Sequence, residues 1–241
     1  MRATRLEFER RFWIFGAIFG IGFFLYRVDP VNSGEAILRF FAPSLNLNSA
    51  LADNLLRLIF FAATLLIAAA AAFRTWATAY LRTEVVHDVS QHSDHIVADG
   101  PYRYTRNPLY FANLFLALGC GFMASRLGAL FIFVAMFLFD YRLILREEAG
   151  LRESQGDAYA RYLAAVPRLL PSLRPRVDAS GARPHWGQAF AGESMFWLFV
   201  LGALVFVITL NTEIAAPVFL LAMGVYWAAV YAVKKRALRR A

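Results

Sequence analysis

Two polar stretches, residues 87–110 and 140–168, hold most of the side chains in this sequence that could take part in chemistry. The first contains Arg103 and Arg106, and the second contains two adjacent glutamates, two arginines four residues apart and two tyrosines three residues apart. Guanidinium groups bind carboxylates and phosphates, whereas carboxylates bind cations or accept protons. Together the two stretches indicate a site for a charged ligand.

The end of the first stretch has the pattern of a helix N-terminus. A Gly-Pro pair at 100–101 predicts a turn, and Asn107-Pro108 predicts an N-cap followed by Pro at the first helical position. The N–H groups and positive dipole end of this helix, with Arg103 and Arg106 just ahead of it, would suit a carboxylate or a phosphate. Arginines also flank membrane segments for topological reasons, so both interpretations stay open.

The second stretch reads as the charged end of a helix. Asp140, Glu147 and Leu151 share one helical face, and Asp140 falls inside an apolar segment, where a charge is costly and usually functional. Arg142 and Arg146 are four residues apart. These acids and bases would form either a binding site or a self-neutralising cluster of ion pairs, and the spacing alone does not decide between them.

Metal binding is a weak alternative. His87, His92 and His95 lie close together, and histidines and carboxylates are good ligands for zinc or iron, but this spacing fits no single helical face. Cys120 is the only cysteine, which excludes an internal disulfide and a cysteine-based metal site. We therefore expect no metal.

The elements that must position these residues are membrane helices. Of the 241 residues, 59% are hydrophobic and 17% are charged, and the mean hydropathy is +0.49. A soluble domain averages ~45–50% apolar and ~25% charged residues, so this composition excludes disorder, a disulfide scaffold and most soluble enzyme folds. The net charge of +8 reflects basic residues beside membrane segments, and we expect no nucleic-acid partner.

Six uncharged segments predict an all-α, polytopic membrane helix bundle. A helix needs ~17–25 residues to cross ~30 Å of hydrocarbon. Four segments reach this length with their flanks, whereas the central pair is short and predicts a helical hairpin that need not fully cross. The segments are 12–26, 58–73, 109–124, 127–139, 194–210 and 214–233.

Because the hairpin joins the two polar stretches, both should meet at one membrane face. A cytoplasmic N-terminus would put nearly all of the 25 Lys and Arg residues on one side, which predicts an N-in, C-in orientation and a site facing the cytoplasm. Gly16, Gly20 and Gly22 lie inside the first segment and predict close helix packing. We expect a multi-pass integral membrane protein surrounded by lipid, in the cytoplasmic membrane if the source is bacterial.

A change in composition predicts the domain organisation. Pro, Arg and Ser concentrate in residues 167–184, as in a linker. We therefore predict a body at 1–170 with its motif core at 85–170, a linker at 171–185 and a two-helix membrane extension at 186–241. This division predicts that the body would keep its ligand site without the extension.

An ordered set of motifs lies within residues 85–170: Gly-Pro-Tyr, Arg-Asn-Pro-x-Tyr, Glu-Glu-x-x-Leu, Tyr-x-x-Tyr and Val-Pro. In order and spacing this set resembles the integral-membrane methyltransferase family that includes isoprenylcysteine carboxyl methyltransferases and phospholipid N-methyltransferases. Two positions depart from the family pattern: Asn107 stands where the carboxyl methyltransferases usually have His, and Gln155 where the family usually has Phe. The matching residues are Gly100-Pro101-Tyr102, Arg106-Asn107-Pro108-Leu109-Tyr110, Glu147-Glu148-Ala149-Gly150-Leu151, Tyr159-Ala160-Arg161-Tyr162 and Val166-Pro167.

The resemblance implies S-adenosylmethionine as the methyl donor and a lipid-like acceptor, such as an isoprenylcysteine carboxylate or a phospholipid amine. It implies that Arg142 or Arg146 orients an anionic acceptor. An amine or thiol acceptor would need a base, and the candidates are Glu147, Glu148 or a histidine. The cofactor would bind on the cytoplasmic side and the acceptor would enter from the bilayer. The residues implied at the cofactor are Val97, Gly100, Pro101, Tyr102, Arg106, Asn107, Pro108, Tyr110, Glu147, Glu148, Tyr159 and Tyr162.

Two other functions stay open. Sterol reductases are similar over the same region and use NADPH, but they would need further basic residues for the nucleotide phosphate. A membrane protein of the same fold without activity is the other alternative, and the intact set of acids, arginines and tyrosines argues against it.

Overall fold

The computed structural model describes residues 2–81 and 98–238, and the fold within these ranges is helical, as predicted. Single turns of 3-10 helix occur at Leu25–Arg27 and Gly100–Arg103. The helices are α1 (Arg5–Glu9), α2 (Arg11–Phe24), α3 (Ser33–Phe41), α4 (Ala50–Tyr80), α5 (Pro108–Met123), α6 (Arg126–Ala165), α7 (Trp186–Gly192), α8 (Ser194–Thr209) and α9 (Thr212–Leu238).

Each of the six predicted apolar segments is helical. Among the described residues, α4 and α6 are long and apolar enough to cross a membrane, and α7 with α8, bent by 59° at their junction, would make a third span. The 16 residues of α5 rise only ~24 Å, less than the ~30 Å of hydrocarbon. These helices indicate an integral membrane protein, whereas six spans and the N-in, C-in orientation stay predictions.

The predicted central hairpin is confirmed. Helices α5 and α6 pack against each other and meet at a short turn, where the Ser125 hydroxyl accepts a hydrogen bond from Gly128 N at 3.1 Å and caps α6. The segment that follows α2 closes this end, because Ser33 N donates to the carbonyl of Ala124 at 2.9 Å. The opposite ends of α5 and α6 are therefore free to build a site.

Two glycines bring α2 and α6 into contact. A Cβ on Gly128 would lie 2.2 Å from the carbonyl oxygen of Gly22, and a Cβ on Gly22 would lie 2.3 Å from the Ile132 side chain. The predicted packing role is wrong for Gly16 and Gly20, since no described atom lies within 4 Å of a Cβ at either position. Gly22 comes six residues after Gly16 and so lies on a different face of the helix.

Helices α7 and α8 pack along α4. The ring centroids of Phe60 and Phe206 are 4.9 Å apart, in an edge-on arrangement. About one turn earlier on α4, Arg57 Nη1 donates to the carbonyl of Val207 at 2.8 Å, which satisfies a carbonyl in the last turn of α8. The C-terminal helices thus share an extended apolar contact with the longest helix of the N-terminal half.

Candidate functional site

The turn at Gly100 requires glycine. Its φ is +55°, and a Cβ at this position would lie 2.4 Å from the ring of Tyr80. The carbonyl of Tyr102, which follows in the turn, accepts a hydrogen bond from the Tyr162 hydroxyl at 2.7 Å. The Tyr162 ring lies 5.9 Å from that of Tyr159. The Tyr-x-x-Tyr pair therefore holds the turn against the end of α6.

Asp99 binds the predicted linker to this turn. Its carboxylate accepts hydrogen bonds from the backbone N–H and the hydroxyl of Ser180, and from Ala182 N at 3.1 Å. Burial alone would raise the pKa of Asp99, but these hydrogen bonds outweigh it and hold the pKa below its usual value. Ser172 N also donates to the carbonyl of Tyr104 at 2.9 Å. The linker is thus bound along the turn, not extended into solvent.

Glu148 joins the two polar stretches. Its Oε1 accepts hydrogen bonds from Arg106 Nε at 3.0 Å and Asn107 Nδ2 at 3.1 Å, and its Oε2 accepts from Arg168 Nε at 3.0 Å. Glu148 is only 7% exposed. Arg106 also donates from Nη1 to two backbone carbonyl groups at the end of α6. These contacts confirm the predicted meeting of the two stretches for the part of the first that the structure describes, residues 98–110.

Replacing Arg106 with Lys should lower both stability and activity. The lysine ammonium keeps the charge, but it cannot reproduce the planar set of donors that bonds Glu148 and two carbonyl groups together. Loss of one charge-assisted hydrogen bond, ~1.5–3 kcal/mol, should reduce thermal stability in detergent, and any reaction that depends on this site should slow by about tenfold. Arg152→Lys, at an exposed position on the same helix, is the control. If Arg106→Lys behaves like this control, Arg106 has only a topological role.

Asn107 stands at the N-cap of α5 without capping it. Pro108 is the first helical residue, as predicted, but the Asn107 side chain makes no hydrogen bond to the first turn. Its Nδ2 donates to Glu148 and to the carbonyl of Arg168 at 2.9 Å. The predicted capping role is wrong because a bond to a charged acceptor is stronger than a bond between neutral groups. The first turn of α5 therefore has no side-chain cap.

Glu147, beside the N-terminus of α5, forms a hydrogen bond to a tyrosine and no ion pair with a described residue. Its Oε1 accepts a hydrogen bond from the Tyr110 hydroxyl at 2.8 Å. It is in none of the ion pairs that the described chain forms within 4.0 Å. Arg11, at the start of α2, is near enough for its charge to act on both Glu147 and Tyr110. Glu147 is thus a partly buried carboxylate without an ion-pair partner in the described chain.

Arg142 and Arg146 lie against the N-terminal segment. Arg142 pairs with Glu7 at 2.8 Å, and Arg146 Nη1 donates to the carbonyl of Ala3 at 3.1 Å. The Nε atom of each arginine is buried and has no hydrogen-bond partner in the described ranges. The alternative of a self-neutralising cluster of these arginines with Glu147 and Glu148 is therefore not formed.

A second buried polar cluster links α4, α5 and α6 to the junction of α7 and α8. Arg74 of α4 pairs with Glu193, at the junction of α7 and α8, with an Nε–Oε2 distance of 2.6 Å. The Thr78 hydroxyl donates to Glu193 at 2.6 Å. Arg74 Nη1 donates to the side chain of Asn113 at 2.9 Å, and Asn113 Nδ2 donates to Asp140 Oδ1 at 3.1 Å. The cluster ties α7 and α8 to the hairpin that carries the candidate site.

Some residues of this region were missed by sequence analysis. Arg11 and Arg168 were counted only among the basic residues beside membrane segments, and Glu7 and Glu193 were given no role. Two signals were present: Thr4-x-x-Glu7 matches a capping box, which the structure forms, and Glu193 is an isolated acid between apolar segments. The predicted residues in the described part of this end of the hairpin are Gly100, Pro101, Tyr102, Arg106, Asn107, Pro108, Tyr110, Arg142, Arg146, Glu147, Glu148, Tyr159 and Tyr162.

The remaining predicted residues lie outside the described ranges. These are Val97 and the three histidines His87, His92 and His95. Across residues 2–81 and 98–238, no group of three or more His, Cys, Asp or Glu side chains is placed to hold a metal ion.

Comparison with known proteins adds independent evidence. The chain is 32% identical over 78 residues to the cobalt-zinc-cadmium resistance protein CzcN of Cupriavidus metallidurans, covering 32% of this chain and 36% of that protein. It is 31% identical over 106 residues to the protein-S-isoprenylcysteine O-methyltransferase of Schizosaccharomyces pombe, covering 39% and 45%. The chain thus spans less than half the length of these curated relatives. No solved structure matches.

The family comparison covers the second predicted segment, the turn and most of the hairpin. A family model described as phospholipid methyltransferase matches residues 58–158. The matched range includes the Gly-Pro-Tyr turn, Asn107, Tyr110 and both glutamates. The family and the name of the second relative indicate a methyltransferase. This match and the 31% identity to the second relative support the resemblance to integral-membrane methyltransferases over residues 58–158.

Proposed function

We propose that this protein transfers a methyl group from S-adenosylmethionine to a lipid-like acceptor at the cytoplasmic membrane face. The main support is that two groups lie side by side: the N-terminus of α5, which has no side-chain cap, and the carboxylate of Glu147, which forms no ion pair in the described chain. Tyr110, in the first turn of α5, joins the two through its hydrogen bond to Glu147.

This pair of groups fits the amino-acid part of the cofactor. The first turn of α5 offers N–H groups and a positive dipole end to the carboxylate of the cofactor. Glu147 offers a negative charge to its ammonium group. Bound S-adenosylmethionine would supply an electrophilic methyl group on a sulfonium sulfur.

The other residues of the turn keep this pair in position. Arg106 and Asn107 donate hydrogen bonds to Glu148, so we propose that they position the N-terminus of α5 and do not bind the cofactor. Tyr102 and Tyr110 provide aromatic faces that suit a sulfonium cation. Methyl transfer needs the reacting atoms ~3–3.5 Å apart and in line, so rigid placement is the main catalytic requirement.

We propose that the acceptor binds beside Arg142 and Arg146. Each guanidinium keeps a buried Nε–H that no described residue accepts, and an unmet buried donor is costly. An acidic group of the acceptor, a carboxylate or a phosphate, would satisfy both donors. A carboxylate nucleophile needs no base, whereas an amine would need one, and Glu147 is then the candidate.

The proposal is tested by following a labelled methyl group. Purified protein in lipid nanodiscs is incubated with methyl-labelled S-adenosylmethionine, and the extracted lipids are analysed. Alkali-labile label identifies a methyl ester, and alkali-stable label identifies an N-methyl group. Glu147→Gln should reduce incorporation, whereas Glu153→Gln, at an exposed position on α6, should not.

Cofactor choice separates this function from a reductase. A ligand at 100 times its dissociation constant adds ~2.7 kcal/mol of stability, which is visible as a rise in melting temperature. S-adenosylmethionine should produce this rise. A rise with NADPH and none with S-adenosylmethionine would replace the proposed function by the reductase alternative.

A further inference from the structure

Asp140 is a buried acid that the proposed function does not use. It lies on α6, is 2% exposed, and falls among the apolar residues of a candidate membrane span. One carboxyl oxygen, Oδ1, accepts a hydrogen bond from Asn113 Nδ2 at 3.1 Å. The other, Oδ2, is buried and has no hydrogen-bond partner in the described chain. Buried carboxylate oxygens are rarely left in this state, because the desolvation cost is large.

No cation in the described chain compensates this carboxylate directly. The nearest guanidinium in the cluster, that of Arg74, uses Nε and Nη2 on Glu193 and Nη1 on Asn113. Arg74 and Glu193 neutralise each other, and Asp140 is in none of the ion pairs of residues 2–81 and 98–238. In the described chain, Oδ2 of Asp140 therefore has neither a cationic partner nor a hydrogen-bond donor.

Asp140 belongs to the same polar column as the candidate site. Glu147 follows seven residues later on the same helical face, roughly 10 Å along the axis. Both acids accept hydrogen bonds from residues of α5 that are about one turn apart: Glu147 from Tyr110, and Asp140 from Asn113. The column thus runs from the end of α5 into the apolar part of the hairpin.

We propose that Oδ2 of Asp140 binds an ammonium group of a ligand of the methyl-transfer site. This inference rests on the proposed function. An ammonium group supplies both missing elements, a positive charge and N–H donors. A metal ion would need several more ligands than the one free oxygen that the described residues provide. The ammonium group would come from an amine-bearing lipid headgroup, or from the cofactor, in which case Asp140 and not Glu147 binds the cofactor's ammonium group.

The test compares ligands with and without the amino group. One pair is S-adenosylhomocysteine and its analogue with hydrogen in place of the amino group. The other is phosphatidylethanolamine and its N-acetylated form, presented in nanodiscs. Dissociation constants for all four probes are measured with the wild-type protein, Asp140→Asn and the control Asp157→Asn, an exposed position on α6.

Asp140→Asn should reduce the preference for the amino form by roughly tenfold or more in one pair, and that pair identifies the source of the ammonium group. Asp157→Asn should leave both preferences unchanged. The inference is overturned if Asp140→Asn keeps the wild-type preference in both pairs. If Asp140→Asn does not fold, Asp140→Glu, which keeps the charge, is measured in its place. Equal binding of both members of each pair, by Asp140→Glu or by the wild-type protein, also overturns the inference.

The outcome separates this inference from the proposed function. If S-adenosylhomocysteine does not bind the wild-type protein at all, the proposed function fails. If it binds and Asp140→Asn keeps both preferences, the proposed function stands and only the role of Asp140 is lost.

Discussion

Glu193→Gln is expected to lower the free energy of unfolding by about 3–5 kcal/mol, because it leaves the buried guanidinium of Arg74 without its counter-charge. Both partners are shielded from solvent, with the Glu193 side chain 2% exposed and that of Arg74 10% exposed. For a chain of this length the loss corresponds to a fall in melting temperature of roughly 6–20 °C. Thermal unfolding in detergent measures it.

A matched control and a double variant sharpen this test. Glu213→Gln changes an exposed glutamate at the start of α9 and should shift the melting temperature little. Replacing both Arg74 and Glu193 with Met removes the pair without stranding a charge, so the double variant should be more stable than Glu193→Gln. Equal, small shifts for Glu193→Gln and Glu213→Gln would show that the pair contributes nothing to stability.

The pair also bears on the proposed division of the chain. If residues 186–241 were removed, Arg74 would lose Glu193, and α4 would lose the apolar contact with α8. We therefore expect the truncated body to be much less stable than sequence composition suggests. The linker at 171–185 stays a prediction from sequence composition. The contacts between α4 and the C-terminal helices bear only on the stability of the truncated protein.

The helices and their hairpin could be predicted because each depends on local sequence. Long uncharged runs can satisfy their backbone in a membrane only as helices, and Ser125 is a cap recognisable beside Arg126. The meeting of the two polar stretches followed from connectivity, since a hairpin brings its two ends to one face. The motif order at residues 100–167 then indicated the family.

The partners within the site could not be predicted, because they depend on tertiary contacts. Nothing local indicates that Asn107 turns from its helix to Glu148, or that Arg142 pairs with Glu7 across 135 positions of sequence. Arg168 looked like an ordinary flanking charge until the fold placed it on the second oxygen of Glu148. Candidate site residues could therefore be picked out from local spacing, whereas the partners that define their roles could not.

The last prediction is that the two adjacent glutamates have separable functions. Glu148→Gln should mainly destabilise the protein, by about 3–5 kcal/mol, because a neutral amide cannot compensate both Arg106 and Arg168. Glu147→Gln should leave stability nearly unchanged, since an amide oxygen still accepts the Tyr110 hydrogen bond. It should weaken cofactor binding by ~10–150-fold, the equivalent of one charge-assisted hydrogen bond of ~1.5–3 kcal/mol.

Two measurements on each variant decide the matter: the melting temperature without ligand and the dissociation constant of S-adenosylhomocysteine. Glu153→Gln, exposed on the same helix, controls for loss of a carboxylate on α6. The reverse pattern, with Glu147→Gln unstable and Glu148→Gln weak in binding, would place the ammonium of the cofactor at Glu148 and make Glu147 the structural acid. Because adjacent residues on a helix point about 100° apart, one acid can fasten the turn while its neighbour faces the ligand. The motif would then need two adjacent glutamates because Glu148 holds the turn in place and Glu147 binds the cofactor.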